Sequence, residues 1–219
     1  MRPFVSGLVL AAGASTRLGQ PKQLLPFGDT TLLGHVVAEA RAASALDEIV
    51  VVIGGAADQV RARVDLGGAR VVENPEFGEG CSASYRTGLG AVDPRAEAVV
   101  ILLGDQPGVD RAVIDAVVDE WRRTRDHIML ASYQGREGHP LIFARDLFDQ
   151  LVALQGDKAA WKIVDAHREG IRAVPLDRPH PRNVNTPEEY EALLRDGSAL
   201  TLCGGAWDPA RRAGSRRTG

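Results

Sequence analysis

The sequence predicts an α/β fold: a Rossmann-like, three-layer α/β/α arrangement around a mostly parallel sheet, with an antiparallel element in its second half. Three observations predict it. Short, β-rich apolar runs alternate with stretches of helical period. These runs are nearly continuous in their apolarity, as strands covered on both faces of a parallel sheet must be. After His127 two further runs stand around a glycine-bearing turn, which reads as a hairpin.

Taken in order, Val5 to Leu10 is a buried strand, Leu32 to Ala43 a helix and Glu48 to Ile53 a second strand. Ala57 to Val64 is a short helix, Arg70 to Glu73 a third strand and Ser82 to Val92 a helix. Ala98 to Leu103 is the clearest strand, and Asp110 caps a helix to about Thr124 with Val113, Val117 and Trp121 on one face. The hairpin pairs Ile128 to Tyr133 with Leu141 to Phe143 through the turn Gly135 to Gly138. Helices follow at Arg145 to Leu154 and Lys158 to His167, then a strand at Ile171 to Val174. Asp177 to Arg182 is proline-broken loop. Thr186-Pro187-Glu188-Glu189 is a helix start, with a threonine cap, proline at the first position and a glutamate placed for a capping box; that helix ends near Asp196.

The 219 residues, 44% hydrophobic and 25% charged, suit one globular domain over 1–196. From about Gly197 the periodicity fades, and four arginines (Arg211, Arg212, Arg216, Arg217) give a basic segment read as a flexible tail. A net charge of -3 gives no sign of a nucleic-acid partner. The two cysteines, Cys81 and Cys203, are neither a disulfide framework nor a metal cluster and fit a reducing cytoplasm. Arg2 and the apolar run to Ala14 loosely imitate a signal peptide, but a buried first strand reads the same way and is preferred. No apolar stretch reaches the length of a membrane span.

The most informative segment runs from Leu10 through Ala11, Ala12, Gly13, Ser15, Arg17 and Gly19 to Lys22. It follows a buried strand, so it lies at the carboxyl edge of the sheet, where open α/β sheets bind ligands. Its small residues let backbone N–H groups turn inward around an anion, and Arg17 and Lys22 add positive charge. Spacing excludes two familiar loops. Five residues separate Gly13 from Gly19, where a Walker A loop needs four and an immediate lysine; a dinucleotide fingerprint needs glycine where this chain has Ser15.

Asp105, in Leu103-Gly104-Asp105-Gln106-Pro107, ends the clearest strand, a place suited either to a Mg²⁺ ligand or to a turn-capping carboxylate. Glu79-Gly80-Cys81-Ser82-Ala83-Ser84 opens a helix whose N–H groups and hydroxyls suit a nucleobase or phosphate. Cys81 reads as a small packing residue rather than a nucleophile, with no histidine near it in sequence.

The first loop resembles the signature of the MobA-like nucleotidyltransferases, L-A-x-G-x-S-x-R-x-G-x-x-K, and within that superfamily is most similar to the molybdenum cofactor cytidylyltransferases. The resemblance spans Leu8 to about Leu194 and implies a fold of the nucleotide-diphospho-sugar transferase type. It implies that Arg17, Lys22 and Asp105 are catalytic, with Leu10, Ala11, Ala12, Gly13, Ser15, Gly80, Ser82 and Ser84 binding the nucleotide. Asp105, in the family's G-D-x-P element, would hold Mg²⁺ with Asn185, which stands in a D-x-D-T-P element carrying asparagine at positions 183 and 185. His139 of Gly138-His139-Pro140 and Asp157 of Gly156-Asp157-Lys158 fall on the acceptor side, although Trp161 replaces the family's arginine. Guanylyl-transferring relatives usually carry glycine at the position of Ala12, which points to CTP.

The activity so implied is Mg²⁺-dependent transfer of CMP from CTP to a molybdopterin-type acceptor, with pyrophosphate leaving and a molybdenum hydroxylase as eventual partner. Three other readings remain open on the residues: a guanylyl- or sugar-phosphate nucleotidyltransferase of the same fold; a non-catalytic nucleotide or cofactor carrier, favoured by the uncharged Asn183 and Asn185; and an NAD(P)-dependent oxidoreductase, disfavoured by Ser15.

Overall fold

A computed structural model describes residues 2–156 and 159–196 of the chain. Its elements are β1 (Val5–Ala11), β2 (Pro26–Phe27), β3 (Thr30–Thr31), α1 (Leu32–Ala42), β4 (Glu48–Ile53), α2 (Ala57–Arg63), β5 (Arg70–Glu73) and α3 (Cys81–Leu89). The second half holds β6 (Ala98–Leu103), α4 (Arg111–Thr124), β7 (Ile128–Tyr133), β8 (Arg136–Ala144), α5 (Phe148–Val152), α6 (Ala159–Ala166), β9 (Ile171–Leu176) and α7 (Pro187–Arg195).

Seven strands form one sheet in the order β5-β4-β1-β6-β8-β7-β9. β1 pairs in parallel with β4 and β6, β4 with β5, and β7 with β9. Only β8 runs antiparallel to its neighbours β6 and β7, which is the antiparallel element the sequence predicts. The chain therefore leaves β1 on one side, builds β4 and β5, and returns to lay β6 on the other. That reversal opens a crevice at the carboxyl ends of β1 and β6.

The period-two alternation along the strands divides the core between the two faces. Val5, Val9, Val51, Ile53, Val100 and Leu102 face α1, α2 and α4, whose Leu33, Val37, Val60, Val117 and Trp121 are buried against them. Leu8, Val50, Val52, Val99 and Ile101 face the other way, toward Tyr85 of α3, Leu151 of α5 and Val164 of α6. A third, smaller cluster joins Leu25, Phe27 and Leu32 to Val184, Tyr190 and Leu193. It fastens α7 under the β2–β3 hairpin, and the Tyr190 hydroxyl donates to the Pro26 carbonyl at 2.5 Å.

One expectation needs correction, and one hairpin goes unforeseen. The turn between β7 and β8 is the pair Gln134-Gly135, both in the left-handed region (φ 50° and 85°), which matches the strand twist; Gly138 lies inside β8. The β2–β3 hairpin escapes the periodicity reading because each strand has two residues; its signal is Gly28-Asp29 between them. The expected tail from Gly197 and the start of the helix expected at Lys158 lie outside the described residues. Among the described residues no helix is long and apolar enough to cross a membrane.

Two substitutions test this packing. A Cβ at Gly88 of α3 would stand 2.4 Å from Leu8 Cδ1 and 2.9 Å from Val52 Cγ2. Alanine there gains about 1 kcal/mol of helix propensity, against about 1–3 kcal/mol for overpacking a closed core. Leu8 is fully buried and has little room to retreat, so we expect Gly88→Ala to lower stability by about 1 kcal/mol in urea titration; an unchanged or raised midpoint would contradict this seating of α3. Thr186 caps α7 in a complete capping box with Glu189. Thr186→Ala should cost about 1 kcal/mol in the same titration.

Candidate active site

The turn after β1 spends its carbonyl groups on the protein. Those of Ala11 and Gly13 both accept from the Gln23 carboxamide, at 2.7 and 2.9 Å, and that of Ala12 accepts from the Gly55 N–H at 3.1 Å. Among the described residues the N–H groups of residues 12–17 meet no acceptor. Ser15 stands in the left-handed region (φ 56°, ψ 35°), an uncommon conformation for serine, and its Oγ accepts from the Lys22 N–H at 3.0 Å. A run of unpaired amides bent through a left-handed residue is a nest for an anion. Arg17 sits on this turn, exposed and without an ion pair among the described residues. Leu10, Ala11 and Ala12 line the base of the turn, and Gly13 is exposed at its crest.

Across the crevice, Asp105 follows β6 and is buried at 7% exposure. A Cβ on Gly104 would meet Ala11 Cβ at 2.8 Å, so glycine lets this corner close on the turn. Lys22 donates to the Asp105 carboxylate at 2.5 Å and to Asn185 Oδ1 at 3.1 Å. The strand end and the segment before α7 are stitched together. Val184 N–H donates to the Asp105 carbonyl at 3.1 Å, and Gln106 Nε2 donates to Asn183 Oδ1 at 2.9 Å. Asn183 thus serves as a strut, while Asn185 presents its oxygen to the crevice cation.

The donor chemistry fits a hard divalent ion. A carboxylate and an amide carbonyl converge on one positive charge, the Lys22 ammonium. Magnesium takes few protein oxygens and completes its shell with phosphate and water. No group of three or more His, Cys, Asp or Glu side chains is arranged to hold a metal among the described residues. An ion at Asp105 and Asn185 therefore depends on oxygens brought by a ligand.

The remaining predicted residues are placed differently. Gly80 precedes α3 at φ 96°. Ser82 and Ser84 are buried, with Ser82 Oγ accepting from the Gly156 N–H and Ser84 Oγ from Asn74 Nδ2, both at 3.1 Å. Each hydroxyl keeps its own proton to donate. Cys81 is exposed at the start of the same helix. His139 is buried in β8 with its ring edge-on to Trp161 at 6.1 Å. Burial, and then the neighbouring His180, push its pKa down to about 4, so it is uncharged at neutral pH. The Tyr133 hydroxyl donates to the His139 carbonyl at 2.5 Å. Asp157 lies outside the described residues. Sequence reasoning missed Gln23 and Gln106, whose one available signal is a polar residue within or beside an apolar stretch that proves to be buried.

The same arrangement of elements is found in known proteins. Residues 7–171 match the MobA-like NTP transferase domain. The chain is 34% identical over 167 residues to nicotine blue oxidoreductase of Paenarthrobacter nicotinovorans, covering 72% of this chain and 80% of that protein. It is 25% identical over 146 residues to molybdenum cofactor cytidylyltransferase of Escherichia coli, covering 66% and 72%. The crystal structure of Rv0371c from Mycobacterium tuberculosis superposes with a TM-score of 0.82 at 42% identity over 89% of this chain and 100% of that one. The same protein, in complex with manganese, superposes at 0.77. With its sheet order, its amide-lined turn and its acidic strand end, the chain belongs to the MobA-like NTP transferase family, a family of nucleotidyltransferases.

Proposed function

We propose that this protein transfers CMP from CTP to a phosphate-bearing acceptor, a molybdopterin cofactor, and releases pyrophosphate. The observation that carries this reading is the run of unbonded amides at residues 12–17, between the exposed Arg17 and the Lys22 ammonium. Such a surface suits a polyanion. The likeness to molybdenum cofactor cytidylyltransferase supports this acceptor, and Ala12 in the loop signature supports CTP.

In this reading the amides, Arg17 and Lys22 hold the β- and γ-phosphates and stabilise the charge that gathers on the leaving pyrophosphate. The base lies near Leu10 and the Gly80 to Ser84 turn. The acceptor's phosphate monoester has its second pKa at about 6, so at neutral pH one of its oxygens attacks the α-phosphorus directly. The new P–O bond forms as the bond to the β-phosphate oxygen breaks, and pyrophosphate leaves with that electron pair. No protein base is required; among the described residues, burial holds the His139 pKa down to about 4, which makes it a weak base, and Asp105 is paired with Lys22. Asp105 and Asn185 would hold Mg²⁺, which supplies charge neutralisation across the phosphates. His139 and Asp157 fall on the acceptor side in this assignment.

A second reading has one specific support, the 34% identity to nicotine blue oxidoreductase. In it the crevice would hold the nicotinamide cofactor of an NAD(P)-dependent oxidoreductase, which would supply hydride-transfer chemistry. Ser15, standing where a dinucleotide fingerprint needs its second glycine, counts against it.

A panel of nucleoside triphosphates with Mg²⁺ and molybdopterin, read by pyrophosphate release, separates the two. CTP should give turnover well above GTP, ATP and UTP. NADH oxidation without pyrophosphate release would favour the second reading. Arg17→Ala and Asp105→Ala should each lower kcat/KM by about 100-fold or more while the fold persists. Near-normal turnover of either would place the chemistry elsewhere. Cys81→Ser should retain most activity.

A further inference from the structure

The structure assigns Gln23 as the positioning residue that aims the amides of the triphosphate turn, a role that rests on the nucleotide reading above. In a planar trans peptide the carbonyl of one residue and the N–H of the next point in opposite directions. Fixing a carbonyl therefore fixes the following amide. Gln23 Nε2 holds the Ala11 and Gly13 carbonyls at 2.7 and 2.9 Å. The N–H groups of Ala12 and Ala14 must then face away from Gln23, out of the protein side of the turn. The Gly55 N–H does the same for Gly13 by holding the Ala12 carbonyl. Three consecutive peptide planes are set in this way, two of them by one side chain.

The burial of Gln23 favours this role. It is 2% exposed, and its Oε1 has no hydrogen-bond partner among the described residues. A buried unpaired acceptor is unfavourable, so the carboxamide is retained in an orientation that sacrifices its oxygen and uses both protons of its nitrogen. Rotating it would place Oε1 against two carbonyl oxygens. The adjoining Lys22 and the turn are joined besides by the Lys22 N–H bond to Ser15 Oγ. One short segment thus carries the cation of the crevice and the clamp of the amide cradle. Gln23 touches no reacting atom; it pre-arranges the groups that bind phosphate, which saves the ordering cost at the moment of binding.

The test uses Gln23→Met, which keeps the size and loses both donors, and Gln23→Glu, which keeps the shape and replaces the donors by an acceptor. Inorganic tripolyphosphate, which has no base or sugar, is titrated calorimetrically into the full chain and both variants. Amide spectra of ¹⁵N-labelled protein follow the shifts of Ala12, Gly13 and Ala14 and report folding elsewhere. We expect tripolyphosphate affinity to fall at least tenfold in both variants. The titration shifts at Ala12 and Ala14 should shrink while resonances away from the turn stay in place. In the turnover assay KM for CTP should rise at least tenfold and kcat should fall as well, while the urea midpoint stays within the range of the unaltered protein, a combination that general loss of stability would not produce. Wild-type affinity in either folded variant would overturn the assignment of Gln23 alone. Absence of tripolyphosphate and CTP binding by the unaltered protein would overturn the nucleotide reading, and this inference with it.

Discussion

Buried and partly buried carbonyl groups must find donors, and the way the turn after β1 meets that demand governs the site. The carbonyls of Ala11, Ala12 and Gly13 are all bonded inward, to Gln23 and to Gly55. Peptide planarity then turns the matching amides outward. The result is an open row of backbone donors, with Arg17 the one charged side chain on it. It lies at the reversal of strand order between β1 and β6, where two parallel strands end side by side.

The cationic side of the crevice depends on a second convergence. Lys22 follows the turn, Asp105 follows β6, and Asn185 precedes α7. They meet because Val184 bonds to the Asp105 carbonyl and Gln106 bonds to Asn183. α7 is held in turn by its capping box and by the small cluster around Phe27 and Tyr190. The loss of two acidic positions relative to the family pattern thus has a physical reading. Asn183 is committed to a strut, and Asn185 offers an amide oxygen in place of a carboxylate. With one carboxylate at the corner, a divalent ion needs the oxygens of a triphosphate to complete its shell.

Much of this was legible in the sequence, for reasons that differ by residue. β6 is an uninterrupted apolar run, β4 and β7 are runs with only one polar residue each, and the short β5 shows itself by its two valines between charged residues. Asp110 and Thr186 are caps that local chemistry announces, and both accept the expected backbone N–H. Asp105 could be named because a carboxylate after a central strand is conspicuous. Gln23 could not: a glutamine carries no charge or metal signature, and its role depends on carbonyls 10 and 12 residues away that only the folded turn brings to it. Ser82, Ser84 and His139 were assigned by pattern, whereas their burial is a property of the packed α3 and β8. A pattern in one dimension does not distinguish a hydroxyl facing a crevice from one facing a neighbouring loop.

In the proposed reading a triphosphate lies on the amides that follow β1, and its divalent ion lies between Asp105 and Asn185. A crystal grown with CTP and Mn²⁺, measured at the manganese absorption edge, tests it directly. Phosphate density is expected against residues 12–17, with an anomalous peak within bonding distance of the Asp105 carboxylate. Ordered CTP bound elsewhere, or a nucleotide on the turn with no anomalous peak at that corner, would contradict it.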